Sequence, residues 1–128
     1  EYVDGFKTAA IKTVIYNHEI NFKISFSPLE MQIIIDNIYD NAIKNGANQI
    51  DLKFKSESKN KIKIFFIDDG KKIKKEHLSE LFKFGFTTEK GGSGMGLYNI
   101  KQILNDMGGT IEFIQTENEK GFEIVLTK

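Results

Sequence analysis

Ile50, Leu52 and Phe54, then Ile62, Ile64 and Phe66, place an apolar side chain at every second position, with one polar stretch, Lys55 to Lys61, between the two runs. Alternation of this kind requires strands with one buried and one wetted face, and the short polar connection makes the two strands antiparallel neighbours. Any fold for this chain must therefore cover one side of a sheet. The cover is supplied by segments with helical spacing. Ser27-Pro28-Leu29-Glu30 opens one of them: a serine N-cap, a proline at the first helical position and a glutamate three residues on. This helix is expected to run from Pro28 to Asn45 and stop at Gly46, with Met31, Ile35, Ile38 and Ala42 facing the sheet.

Val3, Phe6, Ala10 and Val14 recur at helical spacing before it, and Ile20, Phe22, Ile24 and Phe26 alternate, so a helix followed by a strand is expected there. Downstream, Asp68-Asp69-Gly70 ends the second strand of the pair, a short helical pattern spans Glu76 to Phe82, and Gly85 to Gly94 lacks apolar periodicity. Met95, Ile100, Ile103, Leu104 and Met107 define a last helix ended by Gly108-Gly109. Ile111 to Ile114 and Phe122 to Leu126 form a closing hairpin. The fold class is α+β: a two-layer sandwich, one mixed sheet of about five strands packed on three main helices. With 128 residues and no internal linker, residues 1–128 form a single domain. The opening Glu1 marks it as a fragment of a longer protein.

Acids and bases balance at 18 each, so the chain has no general attraction for polyanions, and nucleic acid is not expected as a partner. Any anion must be held by a local site. Cysteine is absent, which excludes disulfides, thiolate metal sites and cysteine nucleophiles. Apolar runs such as Ile64-Phe65-Phe66-Ile67 are too short to cross a bilayer, and a cytoplasmic domain is expected.

Three segments carry chemistry. On the helix from Pro28, Asn37, Asp40, Asn41 and Lys44 fall within an arc of roughly 100°, gathering two amides, a carboxylate and an ammonium on one patch. An amide oxygen from Asn41 suits Mg²⁺, which keeps several waters, and Lys44 one turn on can meet a phosphate. A solvated helix face is the competing reading. Asp68-Asp69-Gly70 sits where a carboxylate can be aimed into a pocket to accept from an exocyclic amine such as that of adenine, although an ordinary Asp-Gly turn has the same residues. Gly91-Gly92-Ser93-Gly94-Met95-Gly96-Leu97 leads directly into a helix, whose free N–H groups attract anions; a flexible hinge is the alternative.

Together these segments resemble the nucleotide-binding boxes of the GHKL, or Bergerat-fold, ATP-binding superfamily, over roughly residues 29 to 126. Asn37 to Lys44 looks like the N box, Asp68 to Gly70 the G1 box, Leu81 to Thr88 the F box and Gly92 to Leu97 the G2 box. The resemblance implies ATP and Mg²⁺ as ligands. It implies Asn41 on the metal, Asn37 and Lys44 beside the phosphates, Asp40 among the ATP-binding residues, and Asp68 on the adenine amine. Gly70 and Ile73 would line the base pocket, with Phe82, Thr88 and Lys90 in the F box and lid. Gly92, Gly94, Met95, Gly96 and Leu97 would close on the phosphates. One position departs from the pattern: Lys72 stands where the G1 box usually has a second glycine, which implies a looser approach to the base.

Asn37 selects a branch. An amide at the first N-box position cannot take a proton from water as a glutamate can, which suits a domain that keeps ATP intact for another acceptor. Phe86-Thr-Thr-Glu-Lys90 also resembles the histidine kinase branch. The resemblance thus implies the catalytic ATP-binding domain of a sensor histidine kinase, itself a monomer. Its partners would be the dimerisation and histidine-phosphotransfer domain of the same protein and a response regulator receiver domain. The parent is either soluble or a membrane-anchored sensor. His18 precedes an alternating segment without a partner helix, and His77 is expected on the short helix, so neither is assigned as the acceptor. An ATPase clamp, a serine kinase of the anti-sigma type and a degenerate nucleotide-binding module would use the same pocket.

Overall fold

The alternating segments that begin at Ile50, Ile62, Ile111 and Phe122 become strands of one sheet. The computed structural model describes residues 11–16, 26–86 and 96–127. In chain order these form β1 (Lys12–Tyr16), α1 (Pro28–Lys44), β2 (Gln49–Ser58), β3 (Lys61–Asp68), a 3-10 helix (Lys75–Glu80), α2 (Gly96–Asp106), β4 (Thr110–Gln115) and β5 (Lys120–Thr127). The sheet order is β1-β2-β3-β5-β4. β1 runs parallel to β2, and the remaining neighbours are antiparallel, so the sheet is mixed.

Ile34, Ile38, Tyr39 and Ala42 of α1 and Ile100 and Leu104 of α2 share one core with Ile50, Leu52, Ile62, Phe66, Phe122, Ile124 and Leu126 of the sheet. The helices therefore cover the face that even-numbered residues of β2, β3 and β5 point toward, as alternation requires. The other face is mixed: Phe65, Ile67 and Val125 share it with charged side chains. On it Lys63 bridges Glu57 and Glu123 at 3.1 and 3.2 Å. Its ammonium, hydrogen-bonded to Glu57, holds that carboxyl below its usual range.

Ser27 caps α1 as expected: its side chain accepts from Glu30 N–H at 3.4 Å, and Asn45 and Gly46, at φ +80°, end the helix. The buried face is turned slightly from the expected one. Ile34 and Tyr39 are fully buried, while Met31 and Ile35 lie at its edge. Tyr39 carries a phenol into the core, where it needs a partner, and that partner lies elsewhere in the chain. It is the Thr13 hydroxyl, on β1. Burial pushes the Tyr39 phenol above its usual pKa, an effect the bond to Thr13 only partly offsets.

Two expectations change. Val14 lies in strand β1, not in a helix: the period of two in Ile11, Thr13 and Ile15, all buried, outweighs the helical spacing of the larger residues, because Thr13 is polar and hides the alternation. Lys55 to Lys61 is mostly strand, since β2 continues to Ser58 through a register shift and the turn narrows to Lys59-Asn60. The helix expected over Val3 to Ala10 and the strand over Ile20 to Ile24 lie outside the described residues.

β5 sits between β3 and β4, and at Gly121 the strands approach closely. A Cβ at Gly121 would collide with the Phe66 carbonyl oxygen and come within 2.8 Å of Ile67 Cα. Both are backbone atoms of the central strand and cannot swing away. Gly121→Ala is therefore expected to lower the unfolding free energy by about 3 kcal/mol or more. Urea denaturation measures it, and a loss below about 0.5 kcal/mol would show that the strands have room.

Candidate functional site

The polar stripe of α1 runs between the two glycine motifs. At its first end, Asn37 donates its amide N–H to Ile33 O at 2.9 Å, which turns Oδ1 toward α2. A Cβ on Gly96 would come within 2.9 Å of that oxygen, so a larger residue there would have to push the Asn37 amide aside. At the other end, two turns on, Asn45 O accepts from Lys71 N–H at 2.8 Å. A Cβ on Gly70 would lie 2.8 Å from the same carbonyl. Asn41 stands midway, one helical turn from each contact. It is half-buried, and its side-chain amide has no partner among the described residues. Asp40 and Lys44 are exposed beside it.

The two aspartates after β3 divide the work. Asp69 Oδ1 accepts from the N–H groups of Asn48 and Gln49 at 2.7 and 3.1 Å, tying the loop to the start of β2. Asp68, at an even position of β3, points toward the helix layer, with its side chain 7% exposed. Its Oδ1 accepts from Gly70 N–H at 2.8 Å, closing an Asx turn, and from Lys120 Nζ at 2.6 Å. Lys120 is the cross-strand partner of Asp68 in the register of β3 and β5, and it too is buried. The carboxylate thus already has an ion partner.

The loop after Gly70 is held by Gln115, which accepts from Ile73 N–H at 2.8 Å and donates to Ile73 O at 2.9 Å. Lys72 turns outward, and its ammonium donates to Glu117 O at 2.7 Å. Phe82 packs edge-on to Phe122 with centroids 6.1 Å apart, and Lys101 Nζ lies 5.7 Å above its ring. Phe82 and Lys101, together with Leu78 and Phe113, line an open groove of about 430 Å³ beside β4. None of the stripe residues lines this groove, and Phe82 packs against the core. Leu97 packs on the core from the first turn of α2. Thr88, Lys90, Gly92, Gly94 and Met95, with the expected lid, lie outside the described residues, as does His18. His77 is on the 3-10 helix, stacked obliquely on Phe86.

Gln115 and Lys120 were not singled out from sequence. Nothing marks Gln115, but Lys120 carries a signal: counting back by twos from Leu126, Ile124 and Phe122 puts this lysine on the buried face.

Residues 27–128 match the family described as histidine kinase-, DNA gyrase B-, and HSP90-like ATPase. The chain belongs to that family. Among curated relatives of this ATPase-family domain, the sensor histidine kinase ZraS of Escherichia coli (strain K12) is 33% identical over 98 residues, covering 76% of this chain and 21% of ZraS. A probable C4-dicarboxylate sensor kinase of Bacillus subtilis (strain 168) is 31% identical over 90 residues, 65% of this chain and 17% of that protein. The chain thus spans about a fifth of the length of such relatives. Among solved structures, the nucleotide-free catalytic domain of histidine kinase ThkA superposes with a TM-score of 0.67 at 25% identity, covering 78% of this chain and 67% of that one. Full-length ShkA in complex with AMPPNP superposes at 0.61 and 20% identity over 77% of this chain and 22% of that one, a likeness of fold. No helix among the described residues is long and apolar enough to cross a membrane.

Proposed function

We propose that this domain binds Mg-ATP between the α1 stripe, Asp68 and the start of α2, and donates the γ-phosphoryl group to a histidine on a separate dimerisation domain of the same protein. A response regulator receiver domain then takes the phosphoryl group from that histidine, and the domain works in the cytoplasm. The observation that carries this reading is the close approach at both ends of the stripe, Asn37 to Gly96 and Asn45 to Gly70, which supports reading the three separated motifs as one site.

The residues present fit Mg²⁺. The described residues contain no group of three or more His, Cys, Asp or Glu side chains that could hold a metal, so they offer no cage for a bare ion. Mg²⁺ bound through one or two protein oxygens, its own waters and the phosphates needs no cage. Asn41 would hold it, and when bound it supplies charge neutralisation on the phosphate oxygens. Lys44 and Lys90 contribute point charges to the same end, and the first N–H groups of α2 lie where a helix N-terminus favours anions. Asn37 orients the phosphates without activating water, which keeps ATP unhydrolysed until an imidazole arrives. An imidazole nitrogen then forms the new P–N bond as the bond to the departing ADP oxygen breaks, a transfer that depends on alignment and charge more than on covalent help.

The test is transfer of label. ATP labelled in the γ-phosphate, Mg²⁺, this domain and the histidine-bearing domain of its parent protein are incubated together. Acid-labile, alkali-stable label on that domain is expected. Acid-stable label on serine, or release of free phosphate at the same rate with and without the acceptor, would contradict the assignment and favour a serine kinase or an ATPase clamp.

A further inference from the structure

The Asp68–Lys120 pair is not explained by an adenine site that reads the base with a carboxylate alone. Lys120 Nζ has three donors, and only one is used, on Asp68 Oδ1 at 2.6 Å; its side chain is 4% exposed. Among the described residues no other acceptor meets that ammonium. Asp68 Oδ1 is taken twice, by Lys120 and by Gly70 N–H, while Oδ2 has no partner among the described residues. No buried side-chain nitrogen or oxygen among the described residues lacks a partner altogether, so the pair strands nothing in the free domain. Asp68 Oδ2 and the two spare ammonium donors lie side by side on the face of the sheet that the helices cover, where a ligand edge can meet them.

We propose that Lys120 is a second base-reading residue, which donates to ring nitrogen N1 of adenine while Asp68 Oδ2 accepts from the exocyclic amine. The proposal rests on the nucleotide reading above and makes it more specific. On adenine the amine and N1 are separated by one ring carbon, so a donor and an acceptor lie next to each other along one edge. The carboxylate and ammonium, held together across β3 and β5 in register, present the opposite order. A guanine edge has the reverse polarity: its oxygen would face Asp68 and its N1–H would face the ammonium. The pair therefore selects adenine at two points, and its charge-assisted bond to N1 replaces a water that would otherwise have to sit there.

Calorimetric titration of the 128-residue chain with ATP, with 1-deaza-ATP, in which N1 is a C–H, and with GTP tests this. ATP is expected to bind about tenfold or more tighter than 1-deaza-ATP, the range for losing one hydrogen bond to a charged group, and GTP to bind more weakly than ATP. In Lys120→Met, with its fold checked by circular dichroism, the ratio of ATP to 1-deaza-ATP affinity is expected to fall to near one. Should that variant fail to fold, the wild-type ratio alone decides. Equal wild-type affinity for ATP and 1-deaza-ATP, GTP binding as tightly as ATP, or an unchanged ratio in folded Lys120→Met would each overturn the role of Lys120 and leave the nucleotide site standing. Absence of any ATP binding by the wild-type chain would overturn both.

Discussion

Asn41→Ala is expected to weaken Mg-ATP binding by about 2 to 4 kcal/mol, the scale for removing one strong, preorganised electrostatic contact, and to leave the melting temperature of the free domain unchanged or slightly raised. The two halves follow from one position. Asn41 is half-buried with no side-chain partner among the described residues, so truncation breaks no bond that the empty fold uses. Alanine is also the better helix former in the interior of α1. Its backbone carbonyl, which accepts from Asn45 N–H at 3.1 Å and from the Asn45 side chain at 3.0 Å, survives the substitution. Titration calorimetry with and without Mg²⁺ separates metal-dependent from metal-independent binding. Loss confined to the Mg²⁺ titration fits the assignment; unchanged affinity in both contradicts it.

Asp68→Ala is expected to be the most damaging polar substitution, costing about 3 to 5 kcal/mol of stability, because it leaves the Lys120 ammonium buried without its counter-ion. It also removes the acceptor of Gly70 N–H, which closes the turn against α1. Lys120→Met added to Asp68→Ala is expected to recover most of that loss, since two apolar groups at a buried site cost far less than one unpaired charge. Urea denaturation of the wild type, both single variants and the double variant completes a cycle. A double variant no more stable than Asp68→Ala would mean that the loss comes from the turn and not from the stranded charge. The double variant is nonetheless expected to bind ATP poorly, so stability and binding separate in the same chain.

Much of this was legible in the sequence because it depends on local rules. The Ser27-Pro28 start of α1, its stop at Gly46, the β2–β3 pair and the closing hairpin were expected within a few residues of where they lie. The resemblance to GHKL boxes gave the family, which the match over residues 27–128 bears out. What escaped depends on partners far apart in the chain. Thr13 is a polar residue in a core only because Tyr39 meets it 26 positions later. Lys120 is buried only because Asp68, 52 positions earlier, faces it across the sheet. Gln115 holds Ile73 from a neighbouring element, and no period or motif predicts a side chain that bonds to both backbone groups of one residue. Lys72, at the position of the second G1 glycine, reaches out to Glu117 O, a partner 45 positions away that no local rule points to.

The account stands on a single site spanning the Asn37-to-Asn45 ladder, Asp68 with Lys120, and the glycine-led start of α2. A crystal structure of the domain with Mg²⁺ and a non-hydrolysable ATP analogue tests it most directly. The account predicts the metal on Asn41 Oδ1, the triphosphate against the first turn of α2 and the adenine edge on Asp68. An analogue seated in the groove beside Phe82, or absent from the α1 stripe at saturating concentration, would contradict it.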